Sequence, residues 1–123
     1  MPIMSRPLHH PSADDVTVEG ILHALSDPVR VEILARLAGV ACAQTCTSVI
    51  GDCAKDVPKS TVSQHFKVLR EAGLTHSERK GVELHNTSRI HEIERRFPGL
   101  LPAILAAHKA QRARSQARRK GRL

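Results

Sequence analysis

The stretch that most constrains the fold is PKSTVSQHFKVLREAGL at residues 58–74. Within it Val62, Phe66 and Leu69 recur at i, i+4 and i+7, the spacing of one buried stripe on a helix. The glycine near its end suits the left-handed residue that terminates many helices. The stretch therefore predicts a helix over residues 58–72 whose remaining face is polar.

Two short runs directly after this helix predict a β-hairpin. Residues 75–79 and 82–87 flank Lys80-Gly81, which is a turn signal. The two runs are therefore expected to pair as antiparallel strands with a basic tip. A hairpin in this position is the wing of a winged helix.

Apolar residues also fall at helical spacing before the predicted helix 58–72 and after the hairpin that follows it. Ser26-Asp27-Pro28 marks a helix start, because Asp27 can cap free amides and Pro28 has no amide to leave unpaired. The order helix, helix, short helix, long helix, hairpin, helix predicts a mostly α fold with a small β-hairpin, a winged helix-turn-helix. The other predicted helices cover about residues 15–25, 28–38, 46–53, 89–97 and 99–115.

Composition divides the chain into three parts. Residues 1–13 carry three prolines among small polar residues, and we expect a disordered arm. Residues 14–108 form the predicted winged helix-turn-helix domain. Residues 109–123 form a basic tail that carries the whole net charge of +7, since basic and acidic residues cancel elsewhere. Such a tail attracts polyanions in a salt-dependent way. An equally good interpretation is that the basic residues form a solvated helix end with no partner.

One face of the predicted helix 58–72 suits contact with double-stranded DNA. Small hydroxyl side chains at a helix start allow the backbone to approach phosphates closely. Gln64 can pair with adenine in the major groove, and Lys67 can contact phosphate or guanine. The expected DNA-contacting residues are Lys59, Ser60, Thr61, Ser63, Gln64, His65, Lys67, Arg79 and Lys80. Of these, His65 can equally pack against its own helix.

Three stretches together carry a resemblance to a known family. They are ALSDPVRVEIL at residues 24–34, STVSQHFKVLREAGL at residues 60–74, and the hairpin with Gly81. The chain resembles the ArsR/SmtB family of winged-helix repressors over about residues 15–106. The resemblance implies a homodimer that is joined by its first and last helices and leaves its operator when an inducer binds. The interface residues that it implies here are Val16, Ile21, Leu22, Leu101, Ile104 and Leu105.

Three cysteines, Cys42, Cys46 and Cys53, lie in the spacing C-x3-C-x6-C. Three thiolates can bind arsenite or another thiophilic ion, two thiols can form a regulatory disulfide, and free cysteine often simply packs. Members of the family often sense such ions near the helix that precedes the recognition helix. The family's arsenic motif, however, keeps two cysteines one residue apart, and none are so close here.

Other classes of protein are disfavoured. No stretch approaches the roughly 18 apolar residues of a membrane helix, and the odd cysteine count fits reduced thiols, so we expect a cytoplasmic protein with no membrane contact. No zinc spacing, glycine-rich phosphate loop or nucleophile elbow is present, so no enzyme and no certain cofactor are expected. Two alternatives to a DNA-binding regulator stay open: a thiol-based metal-binding or redox module acting through protein contacts, and a basic RNA-associated protein.

Overall fold

The computed structural model describes residues 8–40, 42–51 and 56–121. Helices dominate this part of the chain, and a small antiparallel sheet completes it, as the sequence predicts. A single 3-10 turn, Ala13–Asp15, precedes the first α-helix. The elements in chain order are α1 (Val18–Ala24), α2 (Pro28–Ala38), β1 (Gln44–Thr45), α3 (Cys46–Ile50), α4 (Lys59–Glu71), β2 (Thr75–Lys80), β3 (Glu83–Ser88), α5 (Ile90–Arg96) and α6 (Leu100–Gly121).

Individual residues mark the start of α2 and the end of α4. Asp27 Oδ1 accepts a hydrogen bond from the backbone N–H of Val29 at 2.8 Å, which confirms the predicted start of α2. Gly73 has φ +85° and ends α4, as the sequence indicates.

The first helix is shorter than predicted, because Thr17 is extended and its hydroxyl caps the amide of Gly20 at 3.0 Å. The predicted short helix 46–53 is α3, and residues 52–55 lie outside the described residues.

The sheet has the order β1-β3-β2 and is antiparallel throughout. The pairing of β2 with β3, from Thr75 opposite Ser88 to Lys80 opposite Glu83, confirms the predicted hairpin. The two residues that connect the strands are Gly81, with φ +64°, and Val82. The strand β1 was not predicted, because a strand of two residues shows no alternation that could reveal it.

The core lies where α2 and α4 pack against their neighbours. Phe66 and Leu69 of α4 are buried, and so are Ile33, Leu34 and Leu37 of α2. Burial of one such side chain contributes roughly 1.5–3 kcal/mol. The buried cluster consists of Val16, Ile21, Ala24, Ile33, Leu34, Leu37, Val49, Ile50, Phe66, Leu69, Leu74, Ile93 and Leu101.

This cluster corrects part of the expected dimer interface. Val16, Ile21 and Leu101 are buried in the chain's own core, so they are not available to a second subunit. Leu22 is 53% exposed, and Ile104 and Leu105 are partly exposed. An apolar stripe reveals that a helix face is covered but not whether the same chain or another covers it.

The structure also departs from the expected disorder of the N-terminal arm over residues 8–13. Arg89 Nη1 donates to the carbonyl oxygen of Pro11 at 2.8 Å, and Arg96 Nη1 donates to that of Ala13 at 2.6 Å. The arginines stand 78 and 83 residues further along the chain, so local composition could not reveal these contacts. Residues 1–7 lie outside the described part.

The last helix continues without a break through the predicted basic tail to Gly121. Only Leu101 of its 22 residues is buried. Within residues 8–40, 42–51 and 56–121, every helix is too short or too polar to cross a membrane.

Candidate nucleic-acid interface

The polar residues of α4 share one solvent-facing surface. Phe66 and Leu69 point into the core and thereby fix the rotation of the helix. The opposite side, here named the α4 polar face, is exposed at every position. Its residues are Lys59, Ser60, Thr61, Ser63, Gln64 and Lys67.

The start of α4 leaves backbone donors open toward solvent. Pro58 stands at the N-cap, no side chain caps this end, and the first turn contains no acid. The first amides of a helix have no partner within it, and the helix dipole places partial positive charge there. The hydroxyl-rich start of the α4 polar face therefore lies beside a site that favours an anionic oxygen.

Lys67 has a nearby acid that only weakly competes for its charge. Its Nζ lies 3.9 Å from Glu71 Oε1, one turn further along α4, and both side chains are about half exposed. Pairs of this kind in water contribute at most a few tenths of a kcal/mol, about 0.3–0.5. The ammonium group of Lys67 is therefore free to contact a phosphate or a base.

His65 does not belong to the α4 polar face. It is 8% exposed, and Arg30 Nη1 of α2 donates to its Nδ1 at 3.2 Å. A side chain held in this way cannot reach a base edge without leaving its site. The alternative expected from the sequence was that His65 packs against its own helix. His65 is packed, but its partner is Arg30 of α2.

The wing presents two exposed basic residues close to its tip. Arg79 pairs with Leu84 and Lys80 with Glu83, so that both lie on the strand β2 before the turn. The outermost residue is Val82, which is 97% exposed. The tip is thus Gly81-Val82, preceded by Arg79 and Lys80 and followed by Glu83, and it lies one residue further along than the sequence indicated.

The N-terminal arm adds a histidine to the base of the wing. His10 Nε2 accepts a hydrogen bond from the backbone N–H of Ser77 in β2 at 3.0 Å. The rings of His10 and His76 stack with centroids 4.3 Å apart. Burial lowers the pKa of His10 below its ordinary value, and nearby positive groups add to this effect. Those groups are, in decreasing order, His76, Arg70, Arg89 and His9.

This contact predicts that stability falls as the solution becomes acidic. A protonated Nε2 cannot accept from Ser77, so the folded chain binds fewer protons here than the unfolded chain. The contribution is complete above the ordinary histidine pKa of 6.5 and is lost as the pH falls through the lowered native pKa. We expect His10→Gln to melt at a lower temperature than the wild type at neutral pH and to lose this difference in acid.

The measurement is thermal unfolding followed by circular dichroism across the range from neutral to acidic pH. His91→Gln on α5 is the matched control, because His91 is exposed and lies outside this contact. A constant difference between wild type and His10→Gln at every pH would contradict the assignment.

The cysteines are not assembled into a metal site in the described part of the chain. Cys42 is exposed and Cys46 is half-buried, while Cys53 lies outside the described residues. Asn86 Nδ2 lies 3.5 Å from Cys46 Sγ, and burial raises the pKa of the Cys46 thiol. A neutral thiol is a poor metal ligand and a slow nucleophile. Residues 8–40, 42–51 and 56–121 contain no group of three acid, histidine or cysteine side chains that could hold a metal ion.

Known helix-turn-helix proteins are similar to this chain. Residues 25–78 match the family model described as "Helix-turn-helix domain". The HTH-type transcriptional repressor SmtB of Mycobacterium tuberculosis is 41% identical over 64 residues, which cover 52% of this chain and 44% of that protein. The uncharacterized HTH-type transcriptional regulator YceK of Bacillus subtilis is 33% identical over 92 residues, which cover 75% of this chain and 90% of that protein.

A solved structure shares the fold. An ArsR-like transcriptional regulator from Rhodococcus sp. RHA1 has a TM-score of 0.51 and 24% sequence identity, covering 84% of this chain and 89% of that one. The aligned part of this chain is longer than residues 25–78, which the helix-turn-helix family model matches. The chain spans 44% of the length of the SmtB proteins that it matches, but the alignment takes in nearly all of YceK.

Proposed function

Because the chain belongs to the ArsR/SmtB family of helix-turn-helix transcriptional regulators, we propose that it binds promoter DNA through α4 and the wing. Its relatives are regulators of transcription and not enzymes. The observation that carries the proposal is the α4 polar face, which is exposed along its whole length on a helix anchored by Phe66. Such a surface enters a major groove without rearrangement of the core.

Each part of this surface has a distinct role in the proposal. The hydroxyls and free amides at the start of α4 bind phosphates and set the register on the duplex. Gln64 reads adenine with its amide, which offers one donor and one acceptor. Arg79 and Lys80 of the wing contact the backbone or the minor groove beside the site that α4 reads.

We further propose that the regulator is a homodimeric repressor that an inducer releases from its operator. Leu22 on α1 and Ile104 and Leu105 on α6 are apolar and exposed or partly exposed, and they are the residues of the expected interface that the core leaves available. A symmetric dimer presents two copies of α4 to an imperfect palindrome. The environment of Cys46 gives no support to a thiol-based module as the main function.

DNA binding is tested by comparing the protein's own upstream duplex with a scrambled duplex of equal length in fluorescence anisotropy. We expect the wild type to prefer the upstream duplex by about a thousandfold or more. Gln64→Ala is expected to reduce this preference by about tenfold, since a bidentate contact discriminates by roughly 1–3 kcal/mol. Gln111→Ala on α6 is the matched control, since Gln111 is exposed but lies outside α4 and the wing, which form the proposed DNA-binding surface.

A second variant separates base reading from phosphate binding. Lys67→Ala is expected to weaken both duplexes and to reduce the slope of log affinity against log salt by about one if Lys67 binds phosphate. Equal affinity of the wild-type chain for the two duplexes would contradict sequence-specific regulation.

A further inference from the structure

A groove of about 590 Å³ lies between α2 and α6. Its walls contain no residue of α4 or of the wing, so it is separate from the proposed DNA-binding surface. The volume falls within the range of sites that bind small organic molecules, about 300–1,000 Å³. It therefore has room for a ligand other than DNA.

One acid, Glu32, lines the groove, and its oxygens already accept hydrogen bonds. Glu32 Oε1 accepts from Arg36 Nε at 3.3 Å, and Oε2 accepts from Arg112 Nη1 at 2.5 Å. His108 Nε2 lies 3.3 Å from the same Oε2. Burial alone would raise the pKa of Glu32, but these hydrogen bonds and the charge of Arg112 outweigh it and lower the pKa. The carboxylate is therefore ionised and fully engaged.

The groove nevertheless keeps positive charge in excess. Arg36, Lys109 and Arg112 line it against the single carboxylate of Glu32. Lys109 is exposed and forms no ion pair with any residue in the described ranges. Arg112 uses one nitrogen for Glu32, and its side chain is 45% exposed, so further N–H donors of the guanidinium face solvent. An anionic group fits beside these two side chains.

Apart from Gln116, the rest of the wall is apolar. Ala35 of α2 faces Leu105, Ala106 and Ala113 of α6 across the groove. Alanine methyls leave open the space that larger side chains would fill. An apolar body can pack there while a carboxylate at its end contacts Lys109 and Arg112.

Arg36 connects this groove to the helix-turn-helix. Its Nε binds Glu32, while its Nη1 donates to the carbonyl oxygen of Val49 in α3 at 3.4 Å. The same Nη1 lies 2.9 Å from the point where a Cβ on Gly51 would be, so the arginine reaches the residue that ends α3. A ligand whose anionic group draws Arg36 toward itself alters the support of α3, the helix that precedes α4.

We propose that the groove between α2 and α6 binds a small organic carboxylate with an apolar body, and that Arg36 couples its binding to α3 and so to DNA affinity. This inference rests on the proposed function and names the chemical class of its inducer. The ligand and DNA bind at separate places, and each changes the affinity of the other by the same factor.

The test uses hexanoate as the probe and hexylamine, a cation with the same number of carbon atoms, as the control. Binding to the full chain is measured by isothermal titration calorimetry. We expect heat of binding with hexanoate only. Lys109→Gln and Arg112→Gln are each expected to weaken hexanoate binding by about tenfold, while Arg114→Gln, a basic residue of α6 outside the groove, leaves it unchanged. Lys109→Gln leaves the Glu32 contacts intact, so a loss there is not a folding effect.

Coupling is measured as the affinity for the upstream duplex with and without saturating hexanoate. We expect hexanoate to weaken wild-type binding by about fivefold or more. Arg36→Lys keeps the positive charge but loses the planar group that bridges Glu32 and Val49, so it should bind hexanoate without this effect.

The outcomes separate the two proposals. DNA binding without hexanoate binding, or equal binding of hexanoate and hexylamine, overturns the inference and leaves the proposed function standing. Hexanoate binding that leaves DNA affinity unchanged overturns the coupling through Arg36. Hexanoate binding by a chain that does not distinguish the two duplexes overturns the proposed function instead.

Discussion

Phe66→Ala is expected to lower the free energy of unfolding by about 3–5 kcal/mol. The ring is 2% exposed and is among the largest side chains in the core. Its removal from α4 costs both the transfer free energy of the ring and the contacts around the cavity that remains. The measurement is urea unfolding at neutral pH, followed by circular dichroism of the helices.

The same variant tests how the α4 polar face is held in place. A domain of this size has a total stability of about 5–15 kcal/mol, so the loss removes a large share of it and, at the lower end of that range, brings the chain to its unfolding transition. Ser63→Ala, three residues earlier on the exposed side of α4, is the matched control and should leave the free energy of unfolding nearly unchanged. A change below about 1 kcal/mol for Phe66→Ala would mean that another contact anchors α4.

Helices α2 and α4 and the β2–β3 hairpin were predictable because each is specified by residues next to one another. Asp27 and Pro28 mark the start of α2 within two positions, and Gly73 marks the end of α4. The stripe that contains Phe66 and Leu69 also fixes which side of α4 faces solvent. The α4 polar face follows from that rotation alone, which explains why its exposure could be predicted without tertiary contacts.

Features that depend on distant partners could not be predicted in the same way. His65 is next to Phe66 on the edge of the buried stripe, and its hydrogen-bond partner Arg30 stands 35 residues earlier in the chain. The arm around His10 is held by Ser77, 67 residues away. Nothing in the local pattern of either segment specifies these contacts.

The two-residue strand β1 illustrates the same limit, since a buried side chain from another strand supports it. Asn86 of β3 is 0% exposed, and its Nδ2 donates to the carbonyl oxygen of Gln44 in β1 at 3.1 Å. Its Oδ1 accepts from the hydroxyl of Ser77 in β2 at 2.7 Å. One amide therefore joins all three strands of the sheet, and the same Nδ2 approaches the sulfur of Cys46.

Asn86→Ala is accordingly expected to lower the free energy of unfolding by about 2–4 kcal/mol, because each buried polar group left unpaired costs about 1–3 kcal/mol. The variant leaves the carbonyl of Gln44 and the hydroxyl of Ser77 without their amide partner. The measurement is again urea unfolding. The effect on the wing should appear as weaker binding to both duplexes, because Arg79 and Lys80 lose a rigid support.

A double-mutant cycle with Ser77→Ala distinguishes the loss of this hydrogen bond from a general loss of packing. If the hydroxyl and the amide are coupled, Ser77→Ala should cost clearly less in the Asn86→Ala background than in the wild type. Thr87→Ala, on the neighbouring residue of β3, is the matched control for shortening a side chain in this strand. Strict additivity of the Ser77 and Asn86 variants would show that the two side chains stabilise the sheet independently, and the role of Asn86 as the link between its strands would then be wrong.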